Sequence, residues 1–450
     1  MTSGKEWKLI LFFTLPIMAG NLLQQLYNVI DGIIVGNFVS ETAFAAVTTG
    51  MPLVLLYLAL AFGLSVGVSI TVSQFYGAGE NSKLPVAIDT AILLLGALGL
   101  LLTVAGIILS PFLLEFLLNV PYDILPYSIT YMQIYSAGLF FQFAYNCIAS
   151  ILRGFGDSKA TLYFLLISAI LSALLTFVFV IIIEWGVAGA AFSTVIAQGV
   201  SALVSYIYLR KRYPLIKGGK HWDSDIAKTM VRLGLPIAVQ MSLISFGNGA
   251  MQRLVNSFGA TIPAVVPAFG AATRLDALVF VPISGFQAGL AAFTGQNIGA
   301  GRLDRVKRGL RSTMFMSVSC TVFIGINFFF FAEHIVGLFG LSDESLVIGA
   351  QIVRFFAFFF WILCCNMTLG GVLQGAGDTV ILSASTLTSL TVRVTTGYLA
   401  AYLGILGYNA AWVTFPIGWV CWGIIAYSRY FSGKWKQKAV AGKYMVKQEA

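Results

Sequence analysis

Residues 14–36 read TLPIMAGNLLQQLYNVIDGIIVG. Together with the apolar residues from Leu9 onward, the run is long enough for a helix across a hydrocarbon core, which takes roughly 20 mainly apolar residues. It is too long for the apolar region of a signal peptide and lacks a small-residue cleavage site, so it reads as a first transmembrane helix. Within it Asn21, Gln24, Asn28 and Asp31 follow at intervals of three, four and three residues. On a helix they share one face. A charged residue against lipid is expensive, so this polar stripe is expected to look into a bundle.

The rest of the chain continues the pattern. Of 450 residues, 58% are hydrophobic and only 10% charged, against about 25% charged in soluble domains. Eleven interruptions, from NFVSE at Asn37 to YLGILGY at Tyr402, separate twelve apolar segments. A backbone in lipid must satisfy its own hydrogen bonds. The expected fold is therefore all-α and integral to the membrane, with about twelve transmembrane helices.

The net charge of +9 does not point to nucleic acid, because the basic residues lie in short stretches between apolar runs. Placing the N-terminus in the cytoplasm collects Lys5, Lys8, Lys83, Arg153, Lys159, the Arg210–Lys228 group, Arg302–Arg311 and the C-terminal lysines inside. The outer loops then hold Glu41, Glu115, Asp123, Glu184, Glu333, Asp343 and Glu344. This is the positive-inside pattern, and it puts both termini in the cytoplasm of a plasma-membrane protein. The five cysteines lie in apolar runs without CxxC spacing, so neither a disulfide framework nor a metal site is expected.

The opening stretch also has a partner. TLPIMAG at Thr14 returns as GLPIAVQ at Gly234. FYGAGE returns as NIGAGR, pairing Gly77 with Gly299, and LRGFGDS returns as LQGAGDT, pairing Gly154 with Gly375. Matches in one order at nearly one offset indicate duplication. Each half holds six helices, so both enter the membrane in the same direction, and the two six-helix bundles should be related by a pseudo-two-fold axis along the membrane normal. The expected organisation is a first lobe over 1–209, a basic cytoplasmic linker over 210–228, a second lobe over 229–432 and a basic tail over 433–450. The glycine-rich motifs lack the GxxxxGK[ST] arrangement of a phosphate loop and read as tight cytoplasmic turns. Nothing suggests an ATPase, and energy must come from an ion gradient.

TLPIMAGNLLQQLYNVIDGIIVG, SQFYGAGE, RGFGDS, AATRLDAL, TGQNIGAGR and GVLQGAGDT, in that order, resemble the multidrug and toxic compound extrusion (MATE) family, in particular its DinF-like bacterial members. The resemblance runs from about Leu9 to Tyr430. It implies an antiporter that expels cationic or amphipathic compounds in exchange for protons or sodium, with two lobes around a central cavity. It also implies that Asp31 matches the family's first-helix aspartate, a group that can load and release a proton as its exposure alternates. The sodium-type site of the family adds an asparagine and an aspartate on the fifth helix. Ser172 and Thr176 stand at those positions here, while Thr194 on the sixth helix is retained. Sodium favours several oxygen ligands, carboxylates included, so the missing carboxylate shifts the expectation toward protons.

The expected ion-coupling residues are thus Asp31, Asn28, Thr194 and Thr176. Expected to meet substrate are Asn21, Gln24, Gln252, Asn256, Arg274, Asp276 and Gln287. Asp276 and Gln287 are eleven residues apart and share a helix face. Arg274 and Asp276 fit an ion-paired structural role as well as a substrate role, with Arg393 as a further partner. Aromatic residues make up 14% of the chain, but runs such as FFAFFFW point all round a helix and identify no substrate. No cofactor is expected beyond the coupling ion, no partner beyond a small solute and membrane lipid, and the state is read as a monomer. The competing readings are a lipid-linked precursor flippase of the same superfamily, a membrane-embedded enzyme and a passive channel. A flippase calls for a more cationic cavity and an enzyme for clustered His, Asp or Glu, while duplication suits a moving central site better than a channel.

Overall fold

A computed structural model describes residues 1–25, 48–213 and 221–440 throughout, and 26–38 and 41–47 by backbone alone. Asn28 and Asp31 lie outside the residues whose side chains are described. The described chain is helical throughout, without strands: α1 Glu6–Phe38, α2 Glu41–Ala78, α3 Lys83–Phe112, α4 Leu125–Ala137, α5 Leu139–Phe155, α6 Ser158–Thr176, α7 Gly186–Arg212, α8 Ser224–Gly259, α9 Val265–Gly299, α10 Leu303–Phe330, α11 Ala332–Gly337, α12 Asp343–Ala376, α13 Thr379–Tyr402, α14 Ala410–Val413 and α15 Phe415–Phe431. The helices α3 and α6 each end in a short π-helical turn, Leu113–Leu117 and Phe177–Ile182.

Among the described residues, ten helices are long and apolar enough to cross a bilayer, and the pair α4–α5, bent by 42° at Gly138, makes an eleventh. The twelfth expected segment is α13. Its 24 residues rise about 36 Å at 1.5 Å each, enough for a 30 Å core. Its hydropathy is lowered by serines, threonines and Arg393. Those hydroxyls turn back on their own helix: Ser385 donates to Ile381 O, Thr386 to Leu382 O, Thr391 to Leu387 O and Thr396 to Val392 O. A hydroxyl satisfied in this way carries little desolvation cost.

By internal contacts the chain forms two compact units, Leu15–Ala238 and Met1–Thr14 with Val239–Ala450. Their limits fall inside α1 and α8. In the first unit α2 packs most extensively on α5, and α6 on α7; in the second α9 packs on α12, and α13 on α15. The start of α8 belongs to the first unit. A Cβ at Gly67 of α2 would lie 2.1 Å from Met230 O, and one at Gly63 2.3 Å from the Ala238 nitrogen. The start of α1 belongs to the second unit, where a Cβ at Gly289 would meet Thr14 Oγ1 at 2.1 Å.

The duplicated LRGFGDS and LQGAGDT motifs do more than turn the chain. Gly156 and Gly377 take φ values of 90° and 86°, the left-handed closure that favours glycine. In the first motif the Gly156 and Asp157 N–H groups bond to Arg153 O and Leu152 O; in the second Gly377 and Asp378 bond to Gln374 O and Leu373 O. Asp157 then accepts from the Tyr208 hydroxyl at 2.8 Å and from the Ala160 N–H at 3.2 Å. Asp378 accepts from Arg429 Nε at 2.6 Å. Each aspartate therefore ties the last long helix of its half to the α5–α6 or α12–α13 turn. Beside the first, Tyr213 stacks on Phe155 at 4.2 Å, and burial pushes its hydroxyl well above the usual tyrosine range.

The other glycine of each motif permits close helix approach. A Cβ at Gly375 would stand 2.3 Å from the backbone oxygen of Ala291, whereas one at Gly154 would first meet the Val72 side chain at 2.8 Å. A backbone carbonyl cannot rotate away and a side chain can. Gly375→Ala is expected to lower stability in detergent by about 1–3 kcal/mol, and Gly154→Ala by less, as read from their thermal midpoints.

Candidate substrate cavity

The first unit holds a partly open cavity of about 90 Å³, space for a few waters or one polar substituent. From α1 it takes Pro16, Ile17, Gly20, Asn21 and Gln24, which succeed one another along a single helical face. From α5 it takes Gln142, Tyr145, Asn146 and Arg153, again one face extending over three turns. Phe62 of α2 and Thr161, Leu162 and Leu165 of α6 complete the wall. The expected substrate residues Asn21 and Gln24 thus share the cavity with Arg153 and with Gln142, Tyr145 and Asn146 of α5, three polar residues that the sequence alone does not single out.

Arg153 requires a correction. Counted among the cytoplasmic loop charges, it sits instead in the last turn of α5 and lines this cavity, partly buried, with Nη2 donating to Ser150 Oγ at 2.6 Å. The helix continues past it to Phe155 before the motif glycine closes the turn, which carries Arg153 inward. Asn146 is buried and donates to Gln142 O at 2.9 Å, so its amide oxygen is left for other donors.

The corresponding place in the second unit is filled. Gln240 of α8 closes GLPIAVQ at the position where Gly20 closes TLPIMAG, and it extends an amide where Gly20 has none. Its Oε1 accepts from Ser383 Oγ at 2.9 Å, its Nε2 donates to Thr386 Oγ1 at 3.1 Å, and Trp422 Nε1 donates to the same threonine at 2.8 Å. By the offset that pairs Gly154 with Gly375, Ser383 and Thr386 are the counterparts of Leu162 and Leu165, which wall the first cavity. Where the first half has a cavity, the matching residues of the second bond to one another.

The remaining expected residues separate into pairs. Gln252 Nε2 donates to Asn256 Oδ1 at 2.9 Å along α8. Gln287 of α9 donates to Gln374 Oε1 of α12 at 3.2 Å. Arg274 is exposed and Asp276 partly buried on α9, so the two point apart as their spacing requires. Asp276 interacts electrostatically with Arg393. Arg393 also donates to Asn248 Oδ1 at 2.8 Å and lies 4.2 Å over the Phe415 ring, a cation–π contact. Thr176 is fully buried between α6 and α7, 2.6 Å from Ser193 Oγ. Thr194 donates to Ala190 O on its own helix. Neither threonine lines the cavity. Among the described residues no group of three or more His, Cys, Asp or Glu could hold a metal ion.

A duplicated helical membrane protein with a polar cavity inside one repeat has the build of a solute transporter. The MatE family model matches residues 16–178 and 236–399, one stretch in each half, their starts set apart by the same offset as the two LPI motifs. The chain is 30% identical to the probable multidrug resistance protein YpnP of Bacillus subtilis (strain 168), over 97% of each chain. To the probable multidrug resistance protein YoeA of the same organism it is 25% identical, over 96% of this chain and 95% of the relative. Its fold is similar to that of a MATE solved in the bent conformation, with a TM-score of 0.89 and 23% identity over 97% of each chain. The protein belongs to the MatE family. It is accordingly a multi-pass membrane transporter and not an enzyme.

Proposed function

We propose that the protein is a secondary antiporter that exports cationic or amphipathic small molecules, drugs or metabolites, by alternating access of its two six-helix lobes. Protons are the coupling ion in this reading, with sodium second. Both termini face the cytoplasm, and the monomer is the working unit. The observation that carries the reading is the cavity of the first unit, whose α1 wall includes Asn21 and Gln24. In sequence these belong to the same polar stripe as Asn28 and Asp31, so solute and coupling carboxylate are assigned to one helix face. The relatives carrying multidrug resistance names support the substrate class. An intramembrane carboxylate suits ion coupling because desolvation favours its protonated form and a wet or cation-occupied state its charged form.

The test is ethidium movement in proteoliposomes under separately imposed proton and sodium gradients. Transport is expected with the proton gradient and not with sodium alone, and Asp31→Asn is expected to abolish it while leaving a folded, monodisperse protein. Ethidium that stays put under both gradients would overturn the antiporter. Full transport by Asp31→Asn would remove Asp31 from the coupling site.

A further inference from the structure

We infer that the cavity of the first unit is an oxyanion site, in which Arg153 receives a carboxylate or phosphate group carried by an amphipathic molecule. The inference deepens the proposed function, resting on the cavity as the solute site, and narrows the amphipathic solutes to those bearing such a group.

Three observations converge. First, Arg153 is a cation inside a membrane-spanning helix, and among the described residues it forms no ion pair. Its side chain donates to the neutral Ser150 hydroxyl. A guanidinium has five N–H donors in a rigid fork suited to a planar carboxylate or to phosphate. A guanidinium partly removed from water is costly without a counter-charge, and an anion entering the cavity would supply one.

Second, the groups around it suit an anion's neighbours. Asn21, Gln24, Gln142 and Asn146 supply amides and Tyr145 a hydroxyl, all lining the same small space. These groups can donate to the oxygens of an acid or accept from the polar atoms beside it.

Third, the fold does not need the charge. The second half has Gln374 at the position of Arg153, within the same glycine-closed helix end, and there the side chain is engaged by Gln287. The duplicated element therefore forms with a neutral residue at this point. The charge of Arg153 is left to serve the cavity.

Binding of a dye and its own ester tests the assignment. Rhodamine B carries a free carboxylate, and rhodamine B ethyl ester has that group esterified with the xanthene unchanged. In detergent, without any gradient, the wild-type protein is expected to bind rhodamine B about tenfold more tightly than its ethyl ester, the worth of one charge-assisted hydrogen bond. Arg153→Gln, which copies the other half, is expected to erase that preference by weakening rhodamine B alone. Arg153→Lys is expected to keep part of it. A wild-type protein with no preference for the carboxylate dye overturns the proposal whatever the variants do. So does an Arg153→Gln protein that loses both dyes equally.

Repeating the titration in nanodiscs of phosphatidylglycerol and of phosphatidylcholine separates the sources of the oxyanion. Displacement of rhodamine B by phosphatidylglycerol in wild type, lost in Arg153→Gln, assigns it to a lipid headgroup. Indifference to the lipid, with the dye preference intact, assigns it to the solute. Ethidium carries no oxyanion and the dye titration uses no gradient. Failure of ethidium transport would therefore remove the antiporter without touching Arg153, and loss of the dye preference would remove the oxyanion site without touching coupling.

Discussion

Gly20→Gln is expected to eliminate rhodamine binding to the first unit, because it reproduces in that half the side chain that fills the second. The added Cβ would lie 3.2 Å from Leu165 Cδ2 and 3.7 Å from Leu162 Cδ1, both flexible side-chain ends, so α1 can accept it without moving its backbone. The remainder of the side chain has only the cavity to enter. Its amide would face Leu162 and Leu165, where Gln240 meets Ser383 and Thr386. An amide held against those leucines, without the bonds that Gln240 makes, costs about 1–3 kcal/mol, so the single variant is expected to melt at lower temperature as well. The triple variant Gly20→Gln, Leu162→Ser, Leu165→Thr transplants the whole network. It should regain stability while remaining unable to bind. Fluorescence titration beside a thermal melt reads both effects. Retained binding in the triple variant would show that solutes are held elsewhere.

The second large effect is expected at the Asp378–Arg429 pair. Its N–O distance is 2.6 Å, and the two side chains are 3% and 17% exposed. Asp378→Ala leaves the guanidinium without its counter-charge, and breaking a buried pair in this way costs about 3–5 kcal/mol. The matched change in the other half, Asp157→Ala, removes hydrogen bonds to a neutral phenol and one N–H. It should cost about 1–3 kcal/mol. Chemical denaturation in detergent can compare the two. Equal losses would mean that the aspartates act only through the turns they follow. Arg429→Tyr, which rebuilds the pair in the form used by the first half, is expected to be milder than Asp378→Ala.

Much of this architecture was legible in the sequence because the membrane forces helix on any long apolar run. Breaks at YGAGENSKLP, RGFGDSK, EWG and QGAGDT coincide with the ends of α2, α5, the π-turn after α6, and α12. The constant offset of the repeated motifs exposed the duplication. The bend at Gly138 was not foreseen, since a glycine within an apolar segment resembles the many that merely pack closely. Hydropathy assigns Arg153 to the loop beside α5, whereas the helix runs two residues past it to Phe155. The decisive difference between the halves stood in the final letter of TLPIMAG and GLPIAVQ. Its meaning depended on α6 and α13, which lie far downstream of those motifs in the chain. Helical arithmetic put Asp276 and Gln287 on one face, and Arg393 stood among the expected ion partners, but the bond from Gln287 to Gln374 needed the packing of α9 on α12. The family resemblance set Thr176 beside Thr194 as coupling residues, whereas Thr176 lies 2.6 Å from the hydroxyl of the neighbouring Ser193.

The division of α1 and α8 between the units has a consequence for biosynthesis. Residues 1–14 belong with the second unit, where Arg305 donates to Gly4 O at 3.0 Å and pairs with Glu6 at 3.3 Å, and Arg308 bonds Glu6 at 3.0 Å. They leave the ribosome long before those arginines exist. The first unit, in turn, lacks its share of α8 until translation has passed Ala238. Neither unit can therefore finish as its own half of the gene is read, and the opening segment must be kept available at the membrane surface until α10 has been inserted. Cutting the gene in the basic linker between α7 and α8 would give two fragments, each holding a helix start that belongs to the other.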